Sequence, residues 1–156
     1  KSAQTEALSF DVATAAIKGA RAYQEDSVIS SFPVGQNTGF AVLADGMGGH
    51  SSANVASAIV MSEVFSYLKM REAMLEDGIL DIPMTLHDAT GFANQRVSEH
   101  AMEDRETFGM GATLLAPVIA KARLYWVSVG DSPLFLFRAA HCANSTKTIR
   151  WRRRSI

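Results

Sequence analysis

The chain is poor in several kinds of residue and pattern, and each shortage excludes a class of protein. Its single cysteine, Cys142, allows neither an intramolecular disulfide nor a cysteine-rich zinc site. Lysine and arginine (15) nearly balance aspartate and glutamate (16), so we expect no nucleic-acid partner. No apolar run approaches the ~20 residues that cross a bilayer. The chain opens without a signal-peptide pattern, and we therefore expect a cytoplasmic protein with no membrane partner.

The hydrophobic pattern predicts one mixed α+β domain. With 156 residues, 47% of them hydrophobic, the chain can bury a single core. The expected strands are residues 10–17, 27–32, 39–43, 112–119, 124–129 and 134–137, and the expected helices are residues 53–69 and 86–102. Because the two helices stand together between groups of strands, a repeated β-α-β arrangement is excluded. Layers of sheet covered by helices are predicted instead.

The most informative segment is FAVLADGMGGH, an apolar run that ends in an acid and a glycine-rich turn. The run indicates a buried strand with Asp45 at its end. A carboxylate there is costly to bury alone, so it should face a cleft, a cation or a metal ion. Asp45 and the carbonyl of Gly46 together offer the oxygen ligands that a hard divalent cation takes. A turn acid that caps the following helix explains the pattern equally well, and the motif alone leaves both interpretations open.

Two further segments add acids in similar positions. The segment RAYQEDS places Arg21 ahead of the acid pair Glu25 and Asp26, and the segment VSVGDS ends an apolar run at Asp131. Each has a plain structural explanation, namely a surface ion pair between Arg21 and Asp26 and an ordinary hairpin turn at Asp131. Three such acids in one small domain favour an oxygen-rich metal site.

These segments resemble, in order and spacing, the motifs of the PPM-type (type 2C) metal-dependent protein serine/threonine phosphatases in their bacterial form. The matching motifs are residues 21–27, 44–49, 109–114 and 129–132. The resemblance covers residues 10–138, and the four motifs together are specific although each alone is not. It implies a β-sandwich flanked by helices, a four-layer αββα arrangement that is incomplete at the C-terminus of this chain.

The resemblance implies hydrolysis assisted by two metal ions. Two Mn²⁺ or Mg²⁺ ions ~3.5–4 Å apart neutralise the charge of the phosphate and activate water, so no side-chain nucleophile is needed. Arg21 matches the arginine that grips the substrate phosphate, a task that suits its planar guanidinium. Glu25 would support the metal-binding residues without binding a metal ion itself. The expected partners are proteins phosphorylated on serine or threonine by a protein kinase, and we expect a monomer.

Four residues match metal-binding positions of the family. By resemblance, Asp45 bridges the two metal ions and the carbonyl of Gly46 binds one of them. Asp26 acts from the outer shell through water, and Asp131 helps to hold a third, weaker ion.

The chain also departs from the family pattern. The family uses two later aspartates, one in a Ser-Asp-Gly turn and one in an Asp-Asn pair, and neither motif occurs in this sequence. Without them the metal centre is open on one side, so we expect this chain to have little or no phosphatase activity. Pro133 stands where an arginine is common, and Met47 stands where eukaryotic relatives have a proton-donating histidine.

Two other functions stay open. Residues 49–53 loosely fit the nucleophile elbow of a serine hydrolase, with Ser51 as the nucleophile, although residues 45–49 separate it from its strand. His100 or His141 would then be the base, and a fluorophosphonate probe would label Ser51. A non-catalytic phosphatase-like module that binds a partner would explain the absent acids, and manganese titration would separate it from a metal enzyme.

Residues 139–156 form a tail without the family pattern, and we predict that they are translated out of frame. The genetic code permits a shifted reading, Gly-Ala-Leu-Arg-Gln-Leu-Asn-Glu-Asp-His-Ser-Met-Ala, which resembles the Asp-His-Ser element that the family has at this point. A solvated basic tail or an anion-binding patch would also account for its arginines. The nucleotide sequence at codons 138–140 tests the prediction, which an early stop codon in the shifted frame would contradict.

Overall fold

The computed structural model describes residues 8–20, 22–48, 52–138 and 141–144. In chain order its elements are β1 (Asp26–Ser31), β2 (Thr38–Met47), α1 (Ser52–Lys69), α2 (Glu72–Glu76), α3 (Ile82–Glu103), β3 (Gly111–Ala112), β4 (Leu114–Ala120), β5 (Arg123–Val129), β6 (Phe135–Arg138) and β7 (His141–Asn144). An antiparallel sheet has the order β1-β2-β4-β5, with β3 paired to the end of β2. Strands β6 and β7 form a separate two-stranded sheet.

Strand β2 supplies the centre of the core because its burial alternates. Phe40, Val42 and Ala44 are fully buried, whereas the residues between them are half-buried. Since successive side chains of a strand point to opposite faces, these three residues lie on one face, and they pack in the core with the helices. The ring of Phe40 lies 5.5 Å from the ring of Phe65 in α1. The helices therefore cover one face of the sheet.

Helix α3 begins where its sequence caps it. The carboxylate of Asp81 accepts a hydrogen bond from the backbone N–H of Met84 at 2.7 Å, and Pro83 lies in the first turn. Such a cap is typically worth ~1 kcal/mol. The buried residues of α3 are Thr85, Leu86, Ala89, Ala93 and Val97, spaced to form one stripe. Both predicted helices are confirmed, and α3 starts four residues before the predicted residue 86.

The opposite face of the sheet borders a groove of about 800 Å³. Residues 9–15 line its other side, and the ring of Phe10 lies 5.2 Å from that of Phe32. The backbone N–H of Leu8 donates to the side chain of Asn37 at 2.8 Å. The predicted strand at residues 10–17 is wrong, because these residues join no strand ladder in the structure. Alternating side chains indicate a strand only where a neighbouring strand accepts its backbone hydrogen bonds.

The α+β class, an antiparallel sheet flanked by helices, is confirmed. The short helix α2 was not predicted. Within the described residues, no helix combines the length and the hydropathy needed to cross a membrane. Of the tail at residues 139–156, the structure describes only residues 141–144, so its division from residues 10–138 and its origin in a shifted frame stay predictions.

Candidate metal centre

Two of the predicted metal-binding acids lie side by side on neighbouring strands. Asp26 opens β1, Asp45 lies near the end of β2, and the two are direct partners in the antiparallel register. Residues directly opposite each other project from the same face of a sheet, with their Cβ atoms about 4.5–5.5 Å apart. Asp26 is exposed and Asp45 is half-buried. The strand pairing thus places two carboxylates where one cation can attract both.

Gly46 fixes the end of β2 against the first turn of α1. Its N–H donates to the carbonyl oxygen of Glu25 at 3.0 Å. A Cβ atom at this position would lie 1.9 Å from the carbonyl oxygen of Ala53, so only glycine allows this approach. Glu25, the predicted supporting acid, is half-buried just before β1. The close packing holds the Gly46 peptide next to the carboxylate of Asp45.

Thr113 forms hydrogen bonds with the backbone of Asp45 at this end of β2. The sequence analysis gave Thr113 no role. Its hydroxyl accepts a hydrogen bond from the N–H of Asp45 at 3.0 Å, and its own N–H donates to the carbonyl of Asp45 at 2.8 Å. The same hydroxyl lies 3.0 Å from the hydroxyl of Ser132. Thr113 is only 2% exposed. Its signal in the sequence is a hydroxyl residue within an otherwise apolar stretch that matches a family motif.

Asp131 lies in an exposed turn directly after β5. The turn depends on Gly130, which has φ of +101° and whose added Cβ would lie 2.7 Å from the Cγ2 of Thr113. Ser132 links this turn to Thr113, and through it to the backbone of Asp45. Asp131 nevertheless joins no group of three or more acidic, histidine or cysteine side chains that could hold a metal, and the described residues contain no such group elsewhere.

Two residues named in the sequence analysis fall outside the described residues. Arg21, the expected phosphate-binding residue, lies in the gap between residues 20 and 22, and Ser51, the nucleophile of the serine-hydrolase alternative, directly precedes the described part of α1.

The oxygen donors that the structure brings together suit a hard divalent cation. Mg²⁺ is commonly held by one or two carboxylates, with water completing its shell. Asp26, Asp45 and the carbonyl of Gly46 match that donor set in type, with fewer protein ligands than a closed site would have. The donor types fit a hydrated Mn²⁺ or Mg²⁺ ion.

Comparison with known proteins agrees with the motifs. The protein phosphatase 2C family matches the chain over residues 20–146. The chain is 33% identical to the serine/threonine protein phosphatase PstP of Mycobacterium tuberculosis over 129 residues, which are 81% of this chain and 22% of PstP. It is 30% identical to the serine/threonine phosphatase stp of Listeria welshimeri over 102 residues, 65% of this chain and 40% of that relative. The chain thus spans less than half the length of these relatives.

Solved structures show the same likeness. The catalytic domain of PstP in complex with two manganese ions has a TM-score of 0.62 at 33% identity, covering 81% of this chain and 50% of that one. Stp1 from Staphylococcus aureus has a TM-score of 0.58 at 25% identity, covering 80% of this chain and 47% of that one. The resemblance inferred from the four motifs is confirmed, and the chain belongs to the PPM-type protein phosphatase 2C family.

Proposed function

We propose that this chain carries part of the catalytic centre of a metal-dependent protein serine/threonine phosphatase, which hydrolyses phosphoserine and phosphothreonine. The observation that carries the proposal is the register pairing of Asp26 with Asp45 at the end of the sheet, in a chain of this family. Two like charges held opposite each other destabilise the sheet. A divalent cation attracted by both carboxylates would favour their pairing, which supports a metal site at this end of the sheet.

The protein's own groups would divide the work as follows. Asp45 and the carbonyl of Gly46 would hold the metal ions, and Asp26 would support them from the outer shell. Asp131 would support a weaker third site, and Arg21 would bind the phosphate of the substrate. When bound, the metal ions lower the pKa of water and offset the charge of the phosphate.

Thr113 acts on this centre as a positioning residue. Both of its hydrogen bonds to Asp45 go to the backbone, so they set the direction of the strand end without using the carboxylate. Its contact with Ser132 links the turn that carries Asp131 to the end of β2. Glu25 has a similar supporting place, because its carbonyl fixes the N–H of Gly46.

The partners follow from this chemistry. The substrates are proteins phosphorylated on serine or threonine by a kinase, and we propose a cytoplasmic monomer that binds neither nucleic acid nor membrane. Since the chain lacks the Ser-Asp-Gly and Asp-Asn motifs, we expect little hydrolysis of p-nitrophenyl phosphate by the chain alone, even with manganese. Robust turnover that Arg21→Ala removes would show that those acids are dispensable.

Manganese titration by calorimetry tests the metal centre directly. Asp45→Asn should weaken manganese binding more than ~100-fold, because even outer-shell partners of a metal typically contribute 10–100-fold. Asp131→Asn should affect only a weaker site. Asp88→Asn, an exposed aspartate on α3, is the matched control and should change nothing. Equal manganese affinity in all four proteins would overturn the proposal.

A second function has one observation in its favour. Because no group of three or more acidic, histidine or cysteine side chains that could hold a metal occurs among the described residues, the chain could serve as a non-catalytic module that binds a phosphorylated partner. Such a module would bind a phosphopeptide equally well with and without manganese, whereas the phosphatase centre requires the metal. The family match lends no support to the serine hydrolase.

A further inference from the structure

A groove of about 400 Å³ lies between the second half of α3 and strand β3, beside the end of β2. We call it the apolar groove and define it by Met47, Ala93, Val97, Met102, Phe108 and Val129. Four of these side chains are exposed: Val129 by 40%, Met47 by 54%, and Met102 and Phe108 by 84% each. Large apolar side chains gathered around a concave surface are typical of a site where another molecule packs.

The chemistry of the apolar groove favours an apolar occupant. No charged residue is among the described residues that line it. Two of its polar groups already have partners on α3, since the hydroxyl of Thr90 donates to the carbonyl of Leu86 at 2.8 Å and that of Ser98 to the carbonyl of Asn94 at 2.9 Å. The apolar groove therefore offers contact to an aliphatic or aromatic side chain rather than to a phosphate or a basic group.

The apolar groove lies close along the chain to the candidate metal centre. Met47 follows Asp45 by two residues on β2 and pairs with Gly111, and Val129 precedes Asp131 by two residues at the end of β5. An extended chain advances about 3.4 Å per residue. A peptide whose phosphorylated residue lies at the acids would thus reach the apolar groove within a few residues.

We propose that the apolar groove binds a large apolar side chain of the substrate polypeptide, a few residues from its phosphorylated serine or threonine. This inference rests on the phosphatase function proposed above and assigns that function a sequence preference. Met47 and Met102 suit the task because unbranched methionine side chains adapt to different partners. Phe108 adds an aromatic surface at the rim.

Methionine methyl NMR on the whole chain tests the proposal without requiring turnover. Of the seven methionines, Met47, Met102 and Met110 line the apolar groove. The internal controls are Met61, Met70, Met74 and Met84, which do not line it. The probes are phosphoserine peptides of small residues in which a single leucine is moved along both sides of the phosphoserine. At one leucine position we expect the three groove methyls to shift and binding to be about tenfold tighter than for the alanine peptide.

Matched substitutions locate the effect. Met102→Ser and Phe108→Ser should each remove most of the gain from leucine. Met70→Ser and Phe137→Ser replace residues that are 81% and 75% exposed and lie outside the apolar groove, and they should keep the gain. Because all four side chains are exposed, none of these changes should disturb folding.

The outcomes separate this proposal from the proposed function. Binding that depends on phosphate and manganese but not on leucine position would overturn the groove assignment and leave the phosphatase function standing. A leucine preference that is the same without phosphate, without manganese and in the Asp45→Asn variant would overturn the phosphatase function. The substrate assignment would then fall with it. Sedimentation showing a dimer that Met102→Ser dissociates would overturn the proposal in favour of a second copy of the chain.

Discussion

The two ends of the β1–β2 hairpin use carboxylates in opposite ways. At the end next to α2, the carboxylate of Glu76 accepts hydrogen bonds from the N–H of Asn37 at 3.0 and 3.1 Å. At the other end, Asp26 and Asp45 are register partners of like charge. The first arrangement joins a helix to a turn, and the second places two acidic side chains where one cation could attract both. Acids that stabilise the fold and acids that bind a ligand thus differ in what lies opposite them.

The largest loss of stability should follow from disrupting the packing of Gly46 in β2 against Ala53 in α1. Gly46→Ala would place a Cβ atom 1.9 Å from the carbonyl of Ala53, and overpacking against backbone should cost about 3 kcal/mol of unfolding free energy. Urea denaturation measures the loss. Gly91→Ala in α3 meets nothing within 4 Å and should instead stabilise the protein by about 1 kcal/mol. If both variants behave alike, α1 does not pack against β2 as described.

A smaller loss of unfolding free energy should follow from removing the Thr113 hydroxyl, which accepts a hydrogen bond from the N–H of Asp45. Thr113→Val keeps the shape of the side chain but removes the hydroxyl that accepts from the part-buried N–H of Asp45, which should cost about 2 kcal/mol. Thr113→Ser keeps the hydroxyl and serves as the control. Manganese affinity should fall in the valine variant and recover in the serine variant. An unchanged affinity in the valine variant would show that Thr113 is structural only.

Low pH should weaken the end of the hairpin where the carboxylate of Glu76 accepts hydrogen bonds. The nearby Thr38 hydroxyl lowers the pKa of Glu76 most, and the N–H of Asn37 lowers it next. The hydroxyl makes no fully formed hydrogen bond, so the contacts from Asn37 carry the argument. Because the pKa is lower in the folded state, the unfolded chain binds more protons. The stabilisation is complete above the ordinary value of 4.5 and is lost as pH falls below it.

Glu76→Gln should therefore flatten the pH dependence of the unfolding free energy below pH 4.5 and cost about 1 kcal/mol at neutral pH. Glu103→Gln, at the exposed end of α3, is the control and should keep the wild-type slope. An identical slope in both variants would mean that Glu76 does not titrate with folding.

The sequence predicted the elements whose signals are local. Apolar spacing gave α1 and α3, and the apolar run before Asp45 gave β2. The prediction failed where structure depends on distant partners. Residues 10–17 alternate like a strand but join no ladder, and the role of Thr113 depends on a strand 68 residues away. The pairing of Asp26 with Asp45 likewise follows from strand register, which the motifs alone do not specify.

The smallest expected effect has opposite signs with and without metal. Asp26→Asn removes one of two like charges that face each other across β1 and β2. Without metal the variant should be more stable than the wild type by about 0.5 kcal/mol. With saturating manganese the order should reverse, since the wild type gains more from the bound ion. Thermal unfolding with manganese and with chelator measures both signs, and Asp88→Asn is the control. A stabilisation that persists in manganese would mean that the Asp26 carboxylate repels its neighbour without helping to hold a cation.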